Sequence, residues 1–119
     1  MDEINKGRFI NLIDSFSNEI YSNSIRHGFW DFGTADESII VTCKLALIHS
    51  EISEALEAIR NHNPADEHCP EFSSLTIELA DAMIRIMDLA HSLDCRLGAA
   101  ILAKHEYNKS RPYKHGKTI

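Results

Sequence analysis

Apolar residues recur at three- and four-residue intervals along most of the chain, and no stretch alternates like a half-buried strand. The first periodic run covers about residues 4–27, with Phe9, Leu12, Ile13, Phe16 and Ile20 in phase and Gly28 closing it. GFWDFG follows as a turn carrying three aromatic rings. Thr34-Ala-Asp-Glu37 matches a capping box, in which a hydroxyl and a carboxylate satisfy orphan amides reciprocally, so a second helix is expected from there to about residue 61. Its apolar stripe holds Leu45, Ile48, Ile52, Leu56 and Ile59. HNPADEHCP reads as a loop. Pro70 suits the first turn of a third helix running to about residue 93, and Glu71 suits its positive end. Asp94 is the expected cap of a fourth helix, which stops near residue 110 because Pro112 pushes Arg111 out of helical geometry. The pattern predicts one all-α domain, an antiparallel bundle of about four helices with a core over about residues 4–111. Residues 112–119 form a short, basic, exposed tail.

The polar residues that interrupt the apolar helices carry the chemistry. In LTIELADAMIRIMDLA only Glu78, Asp81, Arg85 and Asp88 break a largely apolar surface, at spacings of 3, 4 and 3. At about 100° per residue these four form one stripe. In LALIHSEISEALEAIR, Glu51 and Glu54 sit one turn apart, Glu57 continues the acidic edge, and Lys44 lies in phase with Glu51 two turns earlier. Antiparallel packing sets Glu51 and Glu54 opposite Glu78 and Asp81. Two carboxylates about 4 Å apart repel by roughly 4 kcal/mol at an effective dielectric near 20. Such a quartet therefore needs cations or raised pKa values. An all-oxygen donor set suits Mg²⁺ or Mn²⁺. A single ExxE usually marks a solvated helix face; two on strongly apolar helices do not fit that reading as well. For Arg85 and Asp88 the plainer expectation is a mutual or neighbouring ion pair that neutralises the stripe.

The fourth helix complements this acidic set. Lys104, Asn108 and Arg111 share one face, and Lys109, Lys114, His115 and Lys117 follow. A metal-binding acidic cluster beside a cationic one fits a phosphate-rich ligand. The plainer reading is a basic helix end that answers the helix dipole and stays solvated.

Composition narrows the partners. With 119 residues, 44% of them hydrophobic, the chain can build one core, which association would enlarge. A net charge of −6 argues against binding a nucleic acid polymer, though not against a small anion held by local cations. Three widely spaced cysteines, Cys43, Cys69 and Cys95, make a poor disulfide framework and fit free thiols in a reducing compartment. No run approaches the roughly 20 apolar residues of a membrane span, and no signal core opens the chain, so a cytoplasmic location is expected.

The paired motifs resemble the MazG-like branch of the all-α nucleoside triphosphate pyrophosphohydrolases, marked by ExxE, a gap, then ExxD. Here Glu51-Ile-Ser-Glu54 and Glu78-Leu-Ala-Asp81 are separated by 23 residues, and KHEYNKSRPYKHGK is similar to that family's K..YN..R ending. The likeness covers about residues 28–117 and is specific in combination, weak in either half. It implies cleavage of a nucleoside triphosphate between the α and β phosphates, to a monophosphate and pyrophosphate. Glu51, Glu54, Glu78 and Asp81 would bind Mg²⁺, with Mn²⁺ as a substitute. Lys104, Asn108 and Arg111, with Arg85, would meet the phosphates. One glutamate, Glu54 or Glu51, would orient or deprotonate the attacking water. The family's dimers and tetramers imply a homo-oligomer with sites shared between chains. Phe29, Trp30 and Phe32 offer π-faces to a nucleobase, but a plug sealing the bundle end is the favoured role.

Other readings make different demands. A non-enzymatic oligomeric binding or regulatory bundle predicts a carboxylate stripe that is salt-bridged across the interface and holds no metal. A di-iron bundle wants two Glu-x-x-His motifs, whereas Asp88-Leu-Ala-His91 occurs once without a second copy. His62, His68 and Cys69 are too irregularly spaced for a convincing zinc site. Phosphoribosyl-ATP pyrophosphohydrolase lies within the same superfamily, and only a substrate assay separates it.

Overall fold

A computed structural model describes all residues, 1–119, and contains four α-helices: α1 (Glu3–Arg26), α2 (Glu37–Arg60), α3 (Ser74–Ser92) and α4 (Leu97–Lys109). A short 3-10 turn, Tyr113–Gly116, lies in the exposed tail. The molecule is all-helical, and no helix is long and apolar enough to cross a membrane.

Each of the first three helices starts where an oxygen-bearing side chain meets an orphan amide. Asp2 accepts from Asn5 N at 2.8 Å, Asp36 from Ile39 N at 3.1 Å, and Ser73 from Thr76 N at 3.2 Å. Two expected starts are thereby corrected. Asp36 replaces Thr34 as the cap of α2, because its carboxylate serves both Ile39 N and the Ser38 hydroxyl. The third helix begins at Ser74, beyond Pro70 and Glu71. Asp66 folds the preceding loop by accepting from His68 N and Cys69 N, and Ser73 then supplies the cap. Asp94 does not cap α4 either. It sits at φ 54° in a tight link, and Arg96, at φ 31°, occupies the cap position without a side-chain bond.

The central element is α3, against which both α1 and α2 pack, while α4 lies chiefly on α1. Residue pairs between α2 and α3 run in opposite order. Glu51 meets Arg85, and Glu78 meets both Glu51 and Glu54 further along α2, so the two helices are antiparallel. Small side chains at their contact, Ala55, Ala58 and Ala82, are buried and allow close approach. Gly98 does the same for α4, since a Cβ there would lie 3.0 Å from Ile10 Cα.

The predicted apolar stripes are only partly covered. On α1, Ile20 is buried while Leu12 and Phe16 are exposed; on α2, Leu45, Ile52, Leu56 and Ile59 are all exposed, and Leu79 and Met83 of α3 join them. The accessible surface is 8812 Å², against about 6,500 Å² for a compact monomer of this mass. The radius of gyration is 16.8 Å, where a compact domain of this length has about 13.5 Å. A single chain thus fails to bury the apolar faces its own helices present.

Candidate metal and phosphate site

The register of α2 on α3 brings three carboxylates together. One oxygen from each of Glu51, Glu54 and Glu78 lies within 4.8 Å of the others. Glu51 is buried, Glu78 half-buried and Glu54 exposed, so the cluster opens to solvent on the Glu54 side. Burial pushes the Glu78 carboxyl up to about 7, and hydrogen bonding to Glu51 and Glu54 adds to the shift. Its Oε2 is buried without a hydrogen-bond partner. Asp81, one turn further along α3, is half-buried, and its pKa is raised by burial and then by the charge of Glu51. It lies beside the trio rather than inside it. The set of oxygen donors, one of them orphaned, fits a small hard dication.

Arg85 goes to a carboxylate. Its Nε donates to Glu51 Oε1 at 2.8 Å, an ion pair with a neighbouring carboxylate and not with Asp88, which accepts from the Trp30 indole instead. Burial lowers the Lys44 pKa, and its ammonium donates to the Phe29 carbonyl at 2.6 Å and sits 4.3 Å from the Trp30 ring centroid. Trp30 itself is committed to the fold. Its indole N–H donates to Asp88 Oδ1 at 3.0 Å and Oδ2 at 3.2 Å, and its ring meets Tyr21 edge-on. This supports the plug reading for Trp30, whereas Phe29 stays exposed. A cavity of about 290 Å³ lies between these groups and the carboxylates, lined in part by Asn23, Phe29, Lys44, Asp81 and Asp88.

The cationic face of α4 stands apart from this site. Lys104 and Arg111 both lie over the Tyr107 ring, at 4.6 and 5.5 Å, and Arg111 also reaches the His115 carbonyl. Lys109 pairs with Glu106 at 3.1 Å. Asn108 Oδ1 is buried without a partner, at the edge of an open hollow that Lys104 also lines. Within one chain, then, Lys104, Asn108 and Arg111 form a cluster, but α4 packs on α1 and does not deliver it to the Glu51 trio.

Sequence periodicity alone missed the tie between Trp30 and Asp88. The two residues are 58 positions apart, and no local spacing encodes the contact. Lys44 carried a signal in its phase with Glu51, yet its burial under the aromatic turn needed the tertiary fold. No known protein family, no curated protein and no solved structure matches the chain.

Proposed function

We propose that this chain is a Mg²⁺-dependent nucleoside triphosphate pyrophosphohydrolase, releasing pyrophosphate and a nucleoside monophosphate. The observation that carries the reading is the Glu51, Glu54 and Glu78 trio with its orphaned Glu78 Oε2. Glu51, Glu54, Glu78 and Asp81 hold the cation in this reading, and Arg85 fixes the Glu51 carboxylate. A Mg²⁺ held by these carboxylates would supply Lewis acidity toward water and charge neutralisation toward the phosphates. Glu54, the open member of the trio, receives the proton of the attacking water, with Glu51 as the other candidate. Lys104, Asn108 and Arg111 meet the phosphates from a second copy of the chain, which the uncovered apolar faces of α2 and α3 bind.

The test is pyrophosphate release from a panel of ribo- and deoxynucleoside triphosphates, in Mg²⁺ and in EDTA. Mg²⁺-dependent pyrophosphate with matching monophosphate is expected. Glu54→Gln should lower turnover by roughly 10²-fold or more, the scale of general base catalysis, with an unchanged helical CD spectrum. Full activity in that variant would remove Glu54 from its role. One observation favours a second reading: the Arg85–Glu51 ion pair, within one chain, shows a stripe carboxylate already neutralised by a cation, as a non-enzymatic bundle would have across its interface. Calorimetry that detects no Mg²⁺ or Mn²⁺ binding would move that reading to first place.

A further inference from the structure

The cavity beside the carboxylates ends, along α3, at Asp88. This residue is 6% exposed, and Lys44, which shares the cavity wall with it, gives a hydrogen bond to the Phe29 carbonyl. The donor that Asp88 does have is one indole N–H, shared between both oxygens at 3.0 and 3.2 Å. A carboxylate offers about four acceptor sites and no donor. With one donor shared between its oxygens, Asp88 keeps acceptor capacity for further N–H groups.

Asp88 also stands at a telling distance from the proposed cation site. It follows Asp81 by seven residues, two helical turns, on the same stripe of α3. That is a rise of about 10 Å, comparable to the reach from a nucleotide's α-phosphate to the far edge of its base. Phe29, exposed at the cavity, offers an apolar face for stacking. At about 290 Å³ the cavity is close to the lower bound of ordinary ligand pockets, roughly 300 Å³, and suits a single nucleoside.

Building on the nucleotide reading of the carboxylates, we propose that this cavity is selective for guanine, with Asp88 as the residue that determines the specificity. Among the polar groups lining the cavity, Lys44, Arg85 and Asn23 can donate, but Asp88 only accepts, so the base edge that meets it must present donors. Guanine places its N1–H beside its 2-amino group, two adjacent donors. Adenine and cytosine each set an amine next to a ring nitrogen acceptor, which would face the carboxylate lone pairs. Uracil and thymine flank their single N–H with two carbonyls. Only the guanine edge meets Asp88 without opposing an acceptor to it.

Trp30 is the single tryptophan of the chain and is hydrogen-bonded to Asp88, so its fluorescence reports on this end of the cavity. The protein is titrated in Mg²⁺ with dGMP, dIMP, dAMP, dCMP and dTMP. dGMP should change the emission and bind on the order of 10- to 100-fold more tightly than dAMP or the pyrimidines, the scale of a well-made base contact. dIMP keeps N1–H but lacks the 2-amino group and should fall between them. Asp88→Asn retains an acceptor for the indole and replaces the other with a donor; it should abolish the preference for dGMP. If that variant does not fold, the order of the five monophosphates on the wild-type protein decides. Equal affinities, a preference for dAMP or a pyrimidine, or no response to any of them would overturn the assignment. The hydrolysis panel separates the two proposals: pyrophosphate released equally from all triphosphates leaves the enzyme reading standing and removes guanine selectivity, whereas guanine-selective binding without turnover does the reverse.

Discussion

The Glu78 carboxyl, held up at about 7, takes up its proton well above its ordinary 4.5 because burial penalises the charged form and Glu51 and Glu54 sit close by. A raised carboxylate pKa makes the neutral acid the form the fold favours. The stability it contributes is complete below pH 4.5 and is lost as the pH rises through about 7. The melting temperature of the metal-free protein should therefore fall between pH 5 and pH 8, and Mg²⁺ should restore it at pH 8, where the ligands are ionised. Thermal melts across that window, with and without Mg²⁺, check both halves. Glu78→Gln should flatten the metal-free profile and lose the response to Mg²⁺; an unchanged profile would place the titrating group elsewhere. At this scale the sequence was informative. The spacing of Glu51, Glu54, Glu78 and Asp81 on apolar helices named the cluster, and three of the four converge. What spacing does not contain is the ranking among them, which comes from how deeply the α2–α3 contact buries each side chain.

At the scale of elements, helix existence was legible and helix starts were less so. Periodicity fixed four helices because amphipathic stripes persist over several turns. Starts depend on which of several neighbouring oxygens wins an amide. At α2 the Asp36 carboxylate outcompeted Thr34, and at α3 Ser73 did so three residues past Pro70. The start of α4 was set by packing: Gly98 must lie against Ile10, so the helix begins at Leu97 and Asp94 is left in the link. Gly98→Ala should accordingly destabilise the protein despite the higher helix propensity of alanine. The new methyl meets backbone at 3.0 Å, which cannot move aside as a flexible side chain would. A cost of about 1–3 kcal/mol is expected, typical of overpacking. Denaturant unfolding measures it, and a neutral or stabilising result would mean that α4 is not seated on α1 as described.

The molecule as a whole presents more surface than a finished monomer. Its 8812 Å² exceeds the expected 6,500 Å² or so by about 2,300 Å² per chain, an amount that obligate homodimer interfaces commonly bury. The excess is apolar where α2 and α3 expose Leu45, Ile52, Leu56, Ile59, Leu79 and Met83. Leu56, 57% exposed in the single chain, is a direct probe of this face. Leu56→Glu should shift the sedimenting species from dimer or tetramer toward monomer, because a buried unpaired charge opposes association. A wild-type protein that sediments as a monomer would refute the interface outright. Shared sites add a kinetic consequence. Glu54→Gln removes the proposed base from one surface, and Arg111→Ala removes a phosphate contact from another, with an expected loss of roughly 10- to 100-fold. If the two surfaces meet only between copies, mixing the two impaired proteins under conditions of subunit exchange re-forms intact sites, giving about a quarter of wild-type turnover in a two-site dimer. If Arg111 acted within its own chain, every mixed assembly would keep one defect per site, and turnover would stay at the level of the separate variants. The single chain holds its acidic and cationic clusters apart, so this recovery is the direct measure of whether association completes the site.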